Sequence, residues 1–170
     1  MKATLEDIIR TLQLKPHPEG GYFRETYRST GEIIPESLST EFSGKRNYST
    51  CIYYLLTSET FSAFHRIVQD ETWHFYEGSA LYLHMISPQG SYTKVIIGRE
   101  LNNGQVPQFT VPGGTWFAAH VINPDDYSLM GCTVSPGFDF ADLELGNLEE
   151  MLKRFPQHTG IIKRFTRKLA

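Results

Sequence analysis

Cysteine is scarce in this chain: Cys51 and Cys132 are the only two among 170 residues, and they form no CxxC pair. Both sit in apolar, strand-like runs, so two buried reduced thiols are expected rather than a redox motif. A basic excess is missing as well. Sixteen Lys and Arg oppose nineteen Asp and Glu, for a net charge of −3, and such a balance advertises neither nucleic acid nor an anionic membrane. Long apolar runs are also absent. The longest, CIYYLL from Cys51 to Leu56, is far below the ~20 residues that span a bilayer. Met1 to Arg10 carries Glu6 and Asp7 and no apolar stretch of signal-peptide length. A soluble cytoplasmic protein is therefore expected. Its length suits one domain over 1–170, because single cores stop growing beyond roughly 250 residues.

What is present is a series of short apolar runs punctuated by Gly, Pro and Asn. Thr4 and Asp7 form a capping box ahead of the stripe Leu5, Ile8, Ile9 and Leu12, which predicts a short N-terminal helix. Pro16 and Pro18 end it, and His17-Pro18-Glu19-Gly20-Gly21 reads as a turn into a strand from Tyr22 to Ser29. In that strand Tyr22, Arg24, Thr26 and Arg28 share one face, and a face with two arginines suits either a bound carboxylate or phosphate or an edge strand whose charges deter aggregation. Thr30 to Asn47 is polar and rich in Gly, Pro and Ser, the composition of a mobile loop. Further strands are predicted at 48–57, 80–86, 91–98, 107–111 and 127–135, with Asn102-Asn103-Gly104 as the strongest hairpin signal. Asn147 with Glu150 caps a helix, and Ile161 to Leu169 is a basic amphipathic segment.

The chemistry concentrates in Phe61 to Gly78, FSAFHRIVQDETWHFYEG. Read as strand, turn and strand, it turns at Gln69-Asp70 and then puts Glu71, Trp73 and Phe75 on one face, with Thr72, His74 and Tyr76 on the other. A carboxylate heading an aromatic face needs a partner, since burying it alone costs several kcal/mol. His65, inward on the neighbouring strand, is the nearest candidate by sequence.

The spacing of His65, Glu71 and Gly78 resembles the first motif of the cupin superfamily, whose second histidine falls here on Ile67. Pro112 to Phe117, PGGTWF, resembles the second motif, with Phe117 in the place of its metal-binding histidine. Together with HPEGGYFRETYRS and DYSLMGCTVSPGFDF, these segments resemble an uncharacterised single-domain cupin subfamily over roughly Lys15 to Gly146. The resemblance implies a mostly β fold: a double-stranded β-helix jelly-roll barrel, its core at about 20–146, with short helices at both ends and a helical tail at 147–170. Cupin metal centres usually combine three His and one Glu, and only His65 and Glu71 remain of that set. Two ligands hold a divalent metal poorly. No cofactor is therefore expected, and a metal site completed by a displaced His74, His84 or His120 is a minority alternative.

Without metal, His65 and Glu71 read as a catalytic pair, because a carboxylate fixes the tautomer of a histidine and raises its pKa for proton abstraction. The resemblance extends to metal-free cupin epimerases, which use a histidine base and a tyrosine acid. It implies an isomerase or epimerase of a small carbohydrate-like molecule, with Tyr22, Arg24, Trp73 and Phe117 as ligand-binding residues. The alternative is a non-catalytic small-ligand-binding or structural cupin in which the pair orders the barrel. A homodimer is expected in every case, since Tyr48 to Leu56 reads as covered on both faces and cupins often pair through sheet edges.

Overall fold

Apolar residues at alternate positions give each strand one face to bury, and the chain meets that demand by laying its strands into two facing antiparallel sheets. The computed structural model describes residues 4–167. In chain order the elements are α1 (Leu5–Leu12), β1 (Lys15–Pro16), β2 (Tyr22–Arg28), β3 (Glu32–Ile33), β4 (Arg46–Asn47), β5 (Thr50–Thr57), β6 (Phe61–Arg66), β7 (Asp70–Gly78), β8 (Leu81–Ile86), β9 (Tyr92–Ile97), β10 (Gln108–Val111), β11 (Trp116–Val121), β12 (Tyr127–Ser135), β13 (Glu144–Leu145), α2 (Leu148–Arg154) and α3 (Thr159–Phe165). One sheet runs β1-β2-β5-β12-β7-β10 and the other β13-β6-β11-β8-β9, while β3 and β4 make a separate two-stranded ribbon. Tyr54, Trp73, Leu83, Phe117 and Met130 belong to the core between the sheets.

Both outer faces are partly covered by helices of the same chain. On the five-stranded sheet, Phe64, Ile86 and Trp116 pack with Met151 of α2 and Ile162 and Phe165 of α3. On the six-stranded sheet, Leu55, Tyr127 and Leu129 pack with Ile8 of α1 and with Leu14. The second cover expected over the central strand is thus supplied by α1. Its capping box forms as the sequence requires, with the Thr4 hydroxyl accepting from Asp7 N–H at 3.2 Å. Asn147 likewise accepts from Glu150 N–H at 3.2 Å. α3 stops at Phe165, where Thr166 turns extended, so the helix expected to Leu169 ends early. Lys168 to Ala170 lie outside the described residues.

The closed barrel is corrected to an open pair of sheets. At one side, Val106 meets Ile97 of β9 through a single parallel bridge. At the other, Ala63 N–H of β6 reaches the Glu19 carbonyl at 2.8 Å. These are point contacts, not ladders. Strands β5, β6, β7 and β8 switch sheets one after another, and a sandwich and a barrel impose the same alternation along each strand. Only the hydrogen-bond ladder separates the two.

The same crossing corrects two local expectations. β6 and β7 lie in opposite sheets rather than forming a paired hairpin. The Asn102-Asn103-Gly104 turn, closed by Gly104 at φ 73°, carries the chain from β9 in one sheet to β10 in the other. Within the segment 30–47, expected as a mobile loop, β3 and β4 pair and Arg46 is tied to the body of the fold. Arg46 Nε donates to Asp142 Oδ2 at 2.7 Å in a buried ion pair, and Gln69 Nε2 donates to the same carboxylate oxygen at 2.6 Å.

Candidate functional site

The site starts from the turn His17 to Gly21. Its backbone closes on itself, with His17 N–H donating to Gly21 C=O and Gly20 N–H to His17 C=O, each at 3.0 Å. Gly20 at φ 121° and Gly21 at φ 70° occupy backbone space that side chains rarely tolerate. A Cβ on Gly20 would strike the Phe61 carbonyl, and one on Gly21 the Leu55 carbonyl. The turn is therefore wedged between β5 of one sheet and β6 of the other. This position drives Glu19, only 6% exposed, into the interior.

There the Glu19 carboxylate finds fixed partners. Oε1 accepts from the Ser62 hydroxyl at 3.0 Å, and Oε2 lies 3.0 Å from His65 Nε2. The other ring nitrogen of His65, Nδ1, lies 2.7 Å from the Ala63 carbonyl. A carbonyl only accepts, so Nδ1 carries a hydrogen, and a second hydrogen on Nε2 facing the carboxylate makes His65 an imidazolium. Burial works against both charges, yet each partner outweighs it. Glu19 is held at about 2 by the charge and hydrogen bond of His65, and His65 is raised by those of Glu19. Burial lowers His17, whose Nδ1 accepts from Glu19 N–H at 3.4 Å. Tyr54 donates its hydroxyl to the Gly20 carbonyl at 2.7 Å, and burial followed by the Glu19 charge pushes it well above the ordinary phenol range.

Glu71 stands apart from this network. It heads the inner face of β7, is 9% exposed, and is pushed up to about 7 by burial and then by the Glu19 charge, with His65 and the neighbouring Cys132 thiol opposing. The expected His65–Glu71 pair is thus revised. Because β6 and β7 belong to opposite sheets, His65 is engaged by the turn, and Glu71 is a second carboxyl with no cation bonded to it. Both residues line one cavity of about 200 Å³. Ile52, Tyr54, Ile67 and Cys132 share its wall, and the exposed Glu25, Arg28, Asp139 and Phe140 stand at its mouth.

The four residues expected to bind ligand are not in that wall. Tyr22 packs beside α1 on the outer face, and Arg24 donates to the Leu12 carbonyl at 3.0 Å. Strand phase explains this, since Phe23 and Glu25 take the inner face. A register shift at Thr26 then brings Arg28 to the same side. Trp73, fully buried, and Phe117, with its ring 4.0 Å from that of His65, back the cavity from within the core.

A divalent metal does not fit these residues. Ile67 and Phe117 offer no donor atom, and both nitrogens of His65 are engaged. The displaced histidines are elsewhere. His74 bonds Thr133 at 3.1 Å, and His84 and His120 bond each other at 3.1 Å beneath α3. Among the described residues, no three His, Cys, Asp or Glu side chains are grouped to hold an ion.

Sequence reasoning missed Glu19 and His17 as site residues, because they lie in a turn remote from the central motif. The available signal was an acid and a histidine spaced by a proline, in a turn stiffened further by Pro16 and ended by two glycines. Such rigid loops are where functional groups are commonly mounted.

The chain is 34% identical over 160 residues to an uncharacterised protein of Saccharomyces cerevisiae, a match spanning 89% of this chain and 79% of the yeast protein. Among solved structures, a protein of Shewanella oneidensis aligns with a TM-score of 0.88 at 39% identity, over 98% of this chain and 99% of that one. A hypothetical protein from Leishmania major aligns with a TM-score of 0.88 at 37% identity, over 98% and 100% of the two chains. The family described as "Cupin superfamily (DUF985)" matches residues 6–146. With most of its length matched in this way, the chain belongs to the cupin superfamily, in the DUF985 family.

Proposed function

We propose that the cavity between the sheets binds a small polar, carbohydrate-like molecule and moves a proton on it without a metal, as an isomerase or epimerase does. One observation carries this reading: a second buried carboxyl, Glu71, shares the cavity with a neighbouring ion pair and is pushed up to about 7. A group that gains and loses its proton near neutrality is suited to general acid–base work. In this scheme Glu71, once ionised, takes a proton from a carbon next to the substrate carbonyl and returns it on the same face to the former carbonyl carbon, while the hydroxyl proton of the first carbon passes to the carbonyl oxygen. The C–H electron pair becomes the enolate, and the His65 imidazolium stabilises that negative charge through space, its own N–H groups being engaged by Glu19 and Ala63. Carbonyl sugars incubated in deuterium oxide should lose a carbon-bound proton signal in NMR. The rate should rise with pH through about 7 and vanish in Glu71→Gln.

A second reading keeps the cavity but not the chemistry. The Glu19–His65 pair is almost wholly buried, and its work can be the ordering of the two sheets around a bound ligand. Saturable binding without any exchange would favour this alternative and sink the enzymatic one. The homodimer belongs to the same proposal: Tyr27 and Tyr76 are 56% and 49% exposed on the six-stranded sheet, and light scattering reads the mass.

A further inference from the structure

Each cation that faces the cavity already has its counter-charge. His65 is bonded to Glu19. Arg28 at the mouth donates from Nε and Nη2 to the two oxygens of Glu25 at 3.0 and 2.7 Å, from Nη1 to Asn47 at 2.9 Å, and from Nη2 to the Phe138 carbonyl at 3.0 Å. The carboxylates are not matched in the same way. Asp139 accepts from Ala141 N–H at 2.8 Å and lies in the field of Arg28 and Arg46. Glu71 has no counter-ion bonded to it among the described residues, while Glu19 repels its charge and His65 attracts it. An anionic ligand would therefore meet surplus negative charge and, among the described residues that line the cavity, no cation without a counter-charge, the Lys15 ammonium standing outside that lining at 5.7 Å from the Phe23 ring. Aromatic rings add to this preference, since Phe23, Phe138 and Phe140 also line the cavity and ring faces attract cations.

We propose that the cavity takes an organic cation: a compact polar molecule of carbohydrate size bearing a protonated amine, with its ammonium group beside Glu71, drawn by that charge while the carboxylate itself stays free to act as base, and its skeleton against Phe23, Phe138 and Phe140. This names the substrate class of the site and rests on the reading of the cavity as a ligand site. The ammonium supplies the positive charge that the buried cluster of Glu19, His65 and Glu71 lacks. Phosphorylated and nucleotide-linked sugars are excluded by the same charge arrangement.

The test uses the full chain and three forms of one skeleton: 2-amino-2-deoxyhexoses, the parent hexoses and the corresponding hexonates, read by saturation-transfer NMR and titration at pH 7. The amine should bind about tenfold more tightly than the neutral sugar, the scale of one charge-assisted contact. The hexonate should bind least. Glu71→Gln, folded as judged by an undiminished melting temperature, should bind amine and neutral sugar alike. A preference for the neutral or anionic form, or an amine preference unchanged in Glu71→Gln, overturns the cation proposal and leaves the cavity a ligand site. No binding of any form overturns both.

Discussion

At the scale of the residue, two carboxyl groups in one interior take opposite protonation behaviour because of what stands next to them. Glu19 has an imidazolium at 3.0 Å and a serine hydroxyl at 3.0 Å, so it stays ionised. Glu71 has burial and the charge of Glu19 against it, and is pushed up to about 7. In the unfolded chain Glu71 would titrate at its ordinary value of 4.5. Its contribution to folding is thus fully present below 4.5 and is lost as pH rises through about 7. At about 1.4 kcal/mol per pKa unit, that loss is on the order of 3 kcal/mol. Glu71→Gln should remove this part of the pH dependence, so the variant gains on the wild type in melting temperature between pH 5 and pH 8. Identical slopes in the two proteins would mean that Glu71 is not desolvated in this way.

At the scale of the element, α3 is docked over a pair of neutral histidines. His84 Nδ1 lies 2.7 Å from the Tyr92 hydroxyl, and the rings of His84 and His120 stack with Phe165 at 5.1 and 4.7 Å. Burial lowers His84 to about 3, aided by His120, Lys94 and Arg164. Burial also lowers His120 to about 4, aided by Arg164 and Lys94. In the unfolded chain both would accept protons below their ordinary 6.5. Their stabilisation is therefore complete above 6.5 and is lost as pH falls toward 4 and 3. Protection of the α3 amides against hydrogen exchange, taken relative to the intrinsic exchange rate at each pH, should fall on acidification from pH 7 to pH 4. A His84→Gln, His120→Gln double variant should show much less of that change. Helical boundaries here were legible, because caps at Thr4 and Asn147 are local and act within one turn. The early end of α3 was not, since Phe165 is held by sheet contacts distant in sequence.

At the scale of the whole molecule, the turn at Gly20 joins the two sheets where no ladder does. Gly20→Ala would force a methyl group against the Phe61 carbonyl at a φ of 121°. The expected cost is about 2 kcal/mol or more, the range of a strained backbone position with a clash. Chemical denaturation should report that loss, and the Glu19–His65 pair should loosen with it. A neutral outcome would show that the turn is not the clamp described here.

By itself the sequence determined that the chain is mostly β, that Glu71, Trp73 and Phe75 share an inner face, and that His65 and Glu71 face one interior. These follow from strand alternation and motif spacing, which are local. It also pointed to the cupin superfamily through four ordered segments. Tertiary structure decided what depends on which strand lies beside which. It left the sheets open, because closure is a property of ladders between strands far apart in sequence. It paired His65 with Glu19, because a glycine turn 40-odd residues away is wedged against β6. It turned Tyr22 and Arg24 outward, because the phase of β2 is set by its neighbour β5. Charge balance in the cavity, and with it the proposed chemistry, exists only once those distant carboxylates share one buried space.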